Sequence, residues 1–203
     1  MDYKRLYLDS FLGGIAIGIG CCGHLSCENK IIGALLFSIG LLMILGFRWK
    51  LFTGMLCSKA KISELLACYI GNFIGIRVLA ALYFVSRYYN EDEVAYFTKV
   101  AEAKIQKPIL STLCSAILCE ICIFIAVIGY KKVHFVLGKY FSVVLGVMIF
   151  VISGFEHSIA DMFYTLFAPR MSWSDEWRII IFLTIVTAGN VVGAWLIRSI
   201  VKD

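Results

Sequence analysis

Apolar runs of about 20 residues recur along the chain, near 10–25, 31–47, 62–86, 107–130 and 177–199, and each is long enough to cross a bilayer as a helix. The composition agrees, with 61% apolar and 16% charged residues where a soluble domain carries about a quarter charged. The excess must face lipid. The runs do not alternate in polarity, which excludes a membrane β-barrel, and only 2 Pro with no Ser, Gly or Gln tracts excludes disordered and collagen-like chains. The fold class is an all-α integral membrane protein.

Net charge is +5, but the 19 Lys and Arg are scattered over short loops and form no stripe, so a nucleic-acid partner is not expected. Of the eight Cys, Cys68, Cys114, Cys119 and Cys122 fall inside apolar runs, where a thiolate is costly. They read as small apolar fillers; the alternative is a redox pair at Cys119 and Cys122. Lys4 and Arg5 ahead of an apolar run imitate a signal peptide, yet Asp2 and Asp9 spoil the positive flank and no Ala-x-Ala site follows. The run reads as the first span. Flanking cations number nine on the side of both termini and seven opposite, and the opposite side holds the acidic Glu91-Asp92-Glu93 loop. Both termini are therefore expected in the cytoplasm, with the chain multi-pass in the inner membrane. Residues 91–107 read as a short amphipathic lid helix.

Two stretches break the pattern. Residues 135–167 are apolar but interrupted by Ser153-Gly154-Phe155-Glu156-His157-Ser158, and the second span runs into Arg48-Trp49-Lys50 before Leu51-Phe52-Thr53-Gly54. Both read as broken helices. The helices that follow share a motif, Gly71-Asn72-Phe73-Ile74-Gly75 and Gly189-Asn190-Val191-Val192-Gly193. The chain is thus expected to hold six transmembrane helices as a 3+3 inverted repeat, helices two and five broken, in one domain over 1–203 with halves near 10–86 and 107–200. In such folds interrupted backbone lines a substrate path, because lipid cannot satisfy it. The glycines serve close helix packing, while Asn72 and Asn190 either bridge the breaks or belong to the same packing motif.

Glu156, His157 and Asp161 lie at the second break, and ionisable groups at membrane depth are functional candidates by default. His157 either handles protons or is a structural histidine bonded to backbone exposed by the break.

These residues resemble the formate/nitrite transporters. The resemblance covers almost the whole chain and is carried by Phe37-Ser38-Ile39-Gly40, Leu51-Phe52-Thr53-Gly54, Gly154-Phe155-Glu156-His157-Ser158-Ile159-Ala160 and the two G-N-x-x-G motifs. It implies aquaporin-like protomers assembled as homopentamers, each with its own pore for small monovalent anions and their conjugate acids, with lipid around them and no cofactor or metal. By the same resemblance His157 is the central pore histidine and Thr53 the polar residue of the loop after the second helix. Phe37, Leu41, Leu51, Phe52 and Phe150 are then the apolar constrictions, and Lys50, Glu120, Asn72 and Asn190 complete the pore set. Three positions depart from the family: Arg48-Trp49-Lys50 replaces a Gly-Ala-acidic triplet, Glu120 stands for an Asn, and Asp161 stands for another. Glu120 either pairs with Lys50 or Arg48 or turns to a protomer interface. The permeant is thus a formate, nitrite or hydrosulfide type of anion, with a cation or neutral solute as the alternative. A remote third class is an intramembrane enzyme built on His157 with Asp161 or Cys119.

Overall fold

The computed structural model describes residues 2–168 and 173–201, so Arg170 and Lys202 of the charge count lie outside the described residues. Apolar sequence meets a hydrogen-bonding requirement that only helices satisfy locally, and the described residues form α1 (Tyr3–Leu25), α2 (Lys30–Phe47), α3 (Phe52–Leu56), α4 (Ile62–Arg87), α5 (Glu91–Ile105), α6 (Ile109–Lys132), α7 (Val136–Ile152), α8 (Ser158–Tyr164) and α9 (Trp173–Ile200). Five of these are long and apolar enough to cross a membrane, and α7 is a shorter apolar helix. Ile31, Leu82, Leu110 and Leu145 are each more than half exposed, as a lipid-facing surface requires.

Helix ends follow local chemistry. α1 starts at Tyr3, earlier than the apolar run, because the Asp2 carboxylate accepts from the Arg5 N–H and caps a polar first turn. α5 opens on Asn90, whose side chain accepts from the Glu93 N–H, and carries three acids in its first turn and Lys104 in its last, matching the helix dipole. It stops at Ile105, short of 107, because Pro108 restricts Lys107 and opens α6. Its inner face buries Phe97 and Ala101; Phe97 lies 5.5 Å from the Tyr83 ring and 5.2 Å from Phe167.

α1 packs on α4 and α2, α6 packs on α9 and α7, and α2 and α7 meet between them. The α1–α4 contact is so close that a Cβ at Gly75 would run into the Phe11 carbonyl, and one at Gly193 would lie 2.6 Å from the Ile117 carbonyl across α6–α9. The two G-N-x-x-G motifs thus seat the two contacts in the same way.

Where α2 gives way to α3 and α7 to α8, the chain leaves helical geometry through a left-handed residue, Arg48 (φ 61) and Gly154 (φ 66). Glycine adopts this region freely, whereas a Cβ costs about 1–2 kcal/mol. Nothing lies within 4 Å of a Cβ at Gly154, so backbone conformation alone decides there. Gly154→Ala should lower unfolding stability by about 1 kcal/mol, and Arg48→Gly should raise it by up to about 1 kcal/mol, read as opposite shifts of the thermal midpoint in detergent.

Candidate functional site

Each interruption frees backbone groups that lipid cannot satisfy, and a buried asparagine takes them up. The Asn72 side-chain carbonyl accepts from the Phe52 N–H at 2.8 Å, while its amide donates to the Ser10 carbonyl at 2.6 Å and the Lys50 carbonyl at 2.9 Å. Asn190 repeats the pattern: it accepts from the Ser158 N–H at 2.9 Å and donates to the carbonyls of Ala116 at 2.8 Å and Glu156 at 3.1 Å. Both are fully buried. Each amide ties the first N–H of a short helix, the extended segment before it and a neighbouring long helix into one frame. The frames present Thr53 and His157.

His157 caps α8, its Nδ1 accepting from the Ala160 N–H at 3.1 Å. Nε2 of the neutral ring therefore carries the hydrogen and donates to Thr53 Oγ1, 2.9 Å away. Both residues are buried. Phe150 stacks on the imidazole at 5.8 Å and meets the Phe37 ring edge-on at 5.5 Å. Leu41 and Leu51 are likewise buried, but line a different cavity. Phe52 packs edge-on against Tyr69 at 4.9 Å and lines neither of the cavities described next.

The first cavity, about 390 Å³, opens on the side where α6 ends and is lined by Leu41, Leu51, Arg48, Lys50 and Lys131 among others. The second, about 110 Å³, opens beneath α5 and is lined by Phe37, Phe150, His157, His24, Lys104, Asp161 and Tyr164 among others. Its charges balance through α5 and the segment after it. Lys104 Nζ lies 2.5 Å from Glu156 Oε2 and 2.8 Å from Asp161 Oδ1, and Lys107 Nζ lies 2.7 Å from Glu156 Oε1. Burial alone would push the Lys104 ammonium down, but the Asp161 and Glu156 carboxylates outweigh it and hold Lys104 above the ordinary lysine range. His24 and the Tyr164 hydroxyl share a hydrogen bond at 2.9 Å across the same cavity.

Lys104, Lys107, His24 and Tyr164 were not singled out by the sequence reading. The signal that finds the lysines is the demand that buried acids have counter-charges: Glu156 and Asp161 need two cations, and Lys104 and Lys107 stand on the segment nearest the same membrane face. Glu120, fully buried, receives the Cys57 thiol at 3.7 Å, and its Oε2 has no hydrogen-bond partner. Neither Lys50 nor Arg48 reaches it among the described ion pairs, and its burial among α6, α9 and Cys57 is incompatible with a place on the protomer surface. All eight cysteines are free thiols.

Apolar helices around a buried polar axis with a cavity at either end define a multi-pass membrane protein of the channel and transporter class. The profile of the Formate/nitrite transporter family matches residues 1–202, and the chain belongs to that family. It is 27% identical over 199 residues to the formate channel FocA of Haemophilus influenzae, covering 81% of this chain and 70% of that one. It is 31% identical over 148 residues to the formate channel FocA of Escherichia coli K12, covering 66% of this chain and 52% of that one, about half its length. A solved pentameric formate channel with formate bound superposes with a TM-score of 0.85 at 24% identity, covering 98% of this chain and 95% of that one. These relatives are channels, and the chain is not an enzyme.

Asn190→Ala should leave a buried N–H and two carbonyls without partners, lowering unfolding stability by at least about 2 kcal/mol. Asn72→Ala should cost a similar amount, read in the same thermal-unfolding assay against an exposed control such as Lys99→Ala.

Proposed function

We propose that the chain is a channel for small monovalent anions and their conjugate weak acids, of the formate, nitrite or hydrosulfide type. The observation that carries this reading is the buried imidazole of His157, bonded to Thr53 and flanked by Phe37 and Phe150, with a cavity lined by Arg48, Lys50 and Lys131 at one end and one holding Lys104 at the other. Six crossings form two inverted halves, about 10–86 and 107–200, of one domain, with the second and fifth crossings discontinuous. The matching asparagine frames, the paired left-handed residues and the like packing of α1 on α4 and α6 on α9 support that description. The unit is a homopentamer in the inner membrane with both termini cytoplasmic. The pentameric solved relative and the loops' positive charge on the terminal side support it.

The mechanism follows from relative costs. A bare carboxylate in a dry apolar ring costs several kcal/mol even after relaxation, whereas protonating an acid whose pKa lies about three units below ambient pH costs roughly 4 kcal/mol. Protonation wins. Arg48, Lys50 and Lys131 draw the anion in on one side, and on the other Lys104, already paired with Glu156 and Asp161, is the cation it meets. Phe37 and Phe150 on one side and Leu41 and Leu51 on the other, with Phe52 behind them, exclude water. The His157 Nε2–H and the Thr53 hydroxyl offer hydrogen bonds to the bound species, and Asn72 and Asn190 hold the two donors in register. The proton itself comes from cavity water, since a neutral imidazole that gave up its N–H would be left an imidazolate.

A second reading, permeation of a cation or neutral solute, rests on Asp161 and on Glu120, a buried carboxylate that makes no ion pair among the described residues. In proteoliposomes, formate or nitrite uptake should exceed ammonium uptake and rise as pH falls. His157→Asn should cut the rate at least about tenfold, a loss of roughly 1.4 kcal/mol of barrier lowering. Unchanged rate and pH dependence in His157→Asn defeats the proton step, and preferential ammonium uptake abolished by Glu120→Asn establishes the second reading.

A further inference from the structure

The cavity beneath α5 holds its own substitute for an incoming anion. Lys104 is the cation that faces His157 across it, and two carboxylates already occupy that ammonium: Glu156 at 2.5 Å and Asp161 at 2.8 Å. They are not equivalent. Glu156 has a second anchor, since its other oxygen accepts from Lys107 at 2.7 Å, and Lys107 is fixed in turn by the Gly154 carbonyl at 3.0 Å. Among the described residues Asp161 has no second cation against it. It is buried and meets Lys104 as an ion pair at 2.8 Å, with the Glu156 carboxylate beside it on the same ammonium. With both acids ionised, Lys104 and Lys107 against Glu156 and Asp161 sum to zero, and an arriving anion would leave the cluster one negative charge in excess in a small cavity of about 110 Å³. Uncompensated charge in such a setting is expensive.

We propose that Asp161 is the specificity-determining residue of this mouth: a small monovalent oxyanion takes its place on Lys104, and Asp161 takes up one proton as it is displaced. The anion and the proton therefore enter together, and net charge in the cavity is unchanged. This deepens the proposed function and rests on it for the occupant. Among the described residues the other titratable or charged groups facing Asp161 are Cys21 and His24 on α1, Lys104 on α5, Cys119 on α6, Glu156 before α8, and His157 and Tyr164 on its own element. A proton taken up instead by Glu156, His24 or His157 would leave the pH dependence intact when Asp161 is replaced.

Nitrate separates these cases, because it stays ionised across the working pH range and its binding reports only protons bound by the protein. Its affinity for the purified full chain, read from the shift of the thermal midpoint with nitrate concentration, should weaken by up to about tenfold per pH unit on the alkaline side, the slope for one linked proton. Asp161→Asn should bind nitrate several-fold more tightly than the wild type on the alkaline side, with the dependence gone, and Asp161→Glu should restore it. A pH-independent affinity in the wild type overturns the proposal without recourse to any variant, and so does an Asp161→Asn profile that follows the wild type; Asp161→Ser replaces Asn if that variant does not fold. Formate uptake alongside flat nitrate binding sinks this inference alone. Linked nitrate binding without uptake of formate, nitrite or hydrosulfide sinks the transport reading alone.

Discussion

The structure depends on one requirement: where a helix stops inside a membrane-embedded protein, the freed N–H and C=O groups need protein partners, because hydrocarbon supplies none. Asn72 and Asn190 supply them. A single planar amide offers one acceptor and two donor hydrogens, and each asparagine spends both functions on three separate chain segments. The glycines on either side follow from the same need, since the amide reaches across only if the long helices approach to near backbone contact. Packing and polar satisfaction are one arrangement here, and the side chains at the starts of α3 and α8 inherit its precision.

Electrostatics then divides the two cavities. On the side where α6 ends, Arg48, Lys50 and Lys131 line the wall together, whereas beneath α5 every lysine at the wall has a carboxylate against it. The chain's net charge of +5 hides this contrast. Among the described residues the polypeptide thus offers a basic surface with no paired acids at one end and an internally neutral one at the other.

Much of this was legible before any coordinates. Apolar run length marked the long helices, and polar interruptions marked the ends of α2 and α7. The shared G-N-x-x-G marked the two contacts that the frames lock. Helix starts were less legible, because α1 gains its first turn from a capping interaction at Asp2 and not from hydrophobicity. The cluster around Lys104 was missed for a different reason. An amphipathic segment shows its charged face in sequence, but not that this face folds back over a cavity to meet acids about fifty residues away, as Lys104 and Glu156 do. Phe52 illustrates the converse, since its neighbours Leu51 and Thr53 face the axis while its own ring turns toward Tyr69. Glu120 was visible as an odd charge, but its contact with the Cys57 thiol needed the tertiary fold.

The imidazole of His157 is gripped along one edge, since Nδ1 already serves the backbone of its own helix as an acceptor. A ring so held is a one-handed carrier. It can exchange hydrogen only through the nitrogen turned toward α3, and it cannot relay by accepting on one edge while releasing from the other unless the start of α8 lets go. Directionality at the centre of this protein is therefore written into a helix cap.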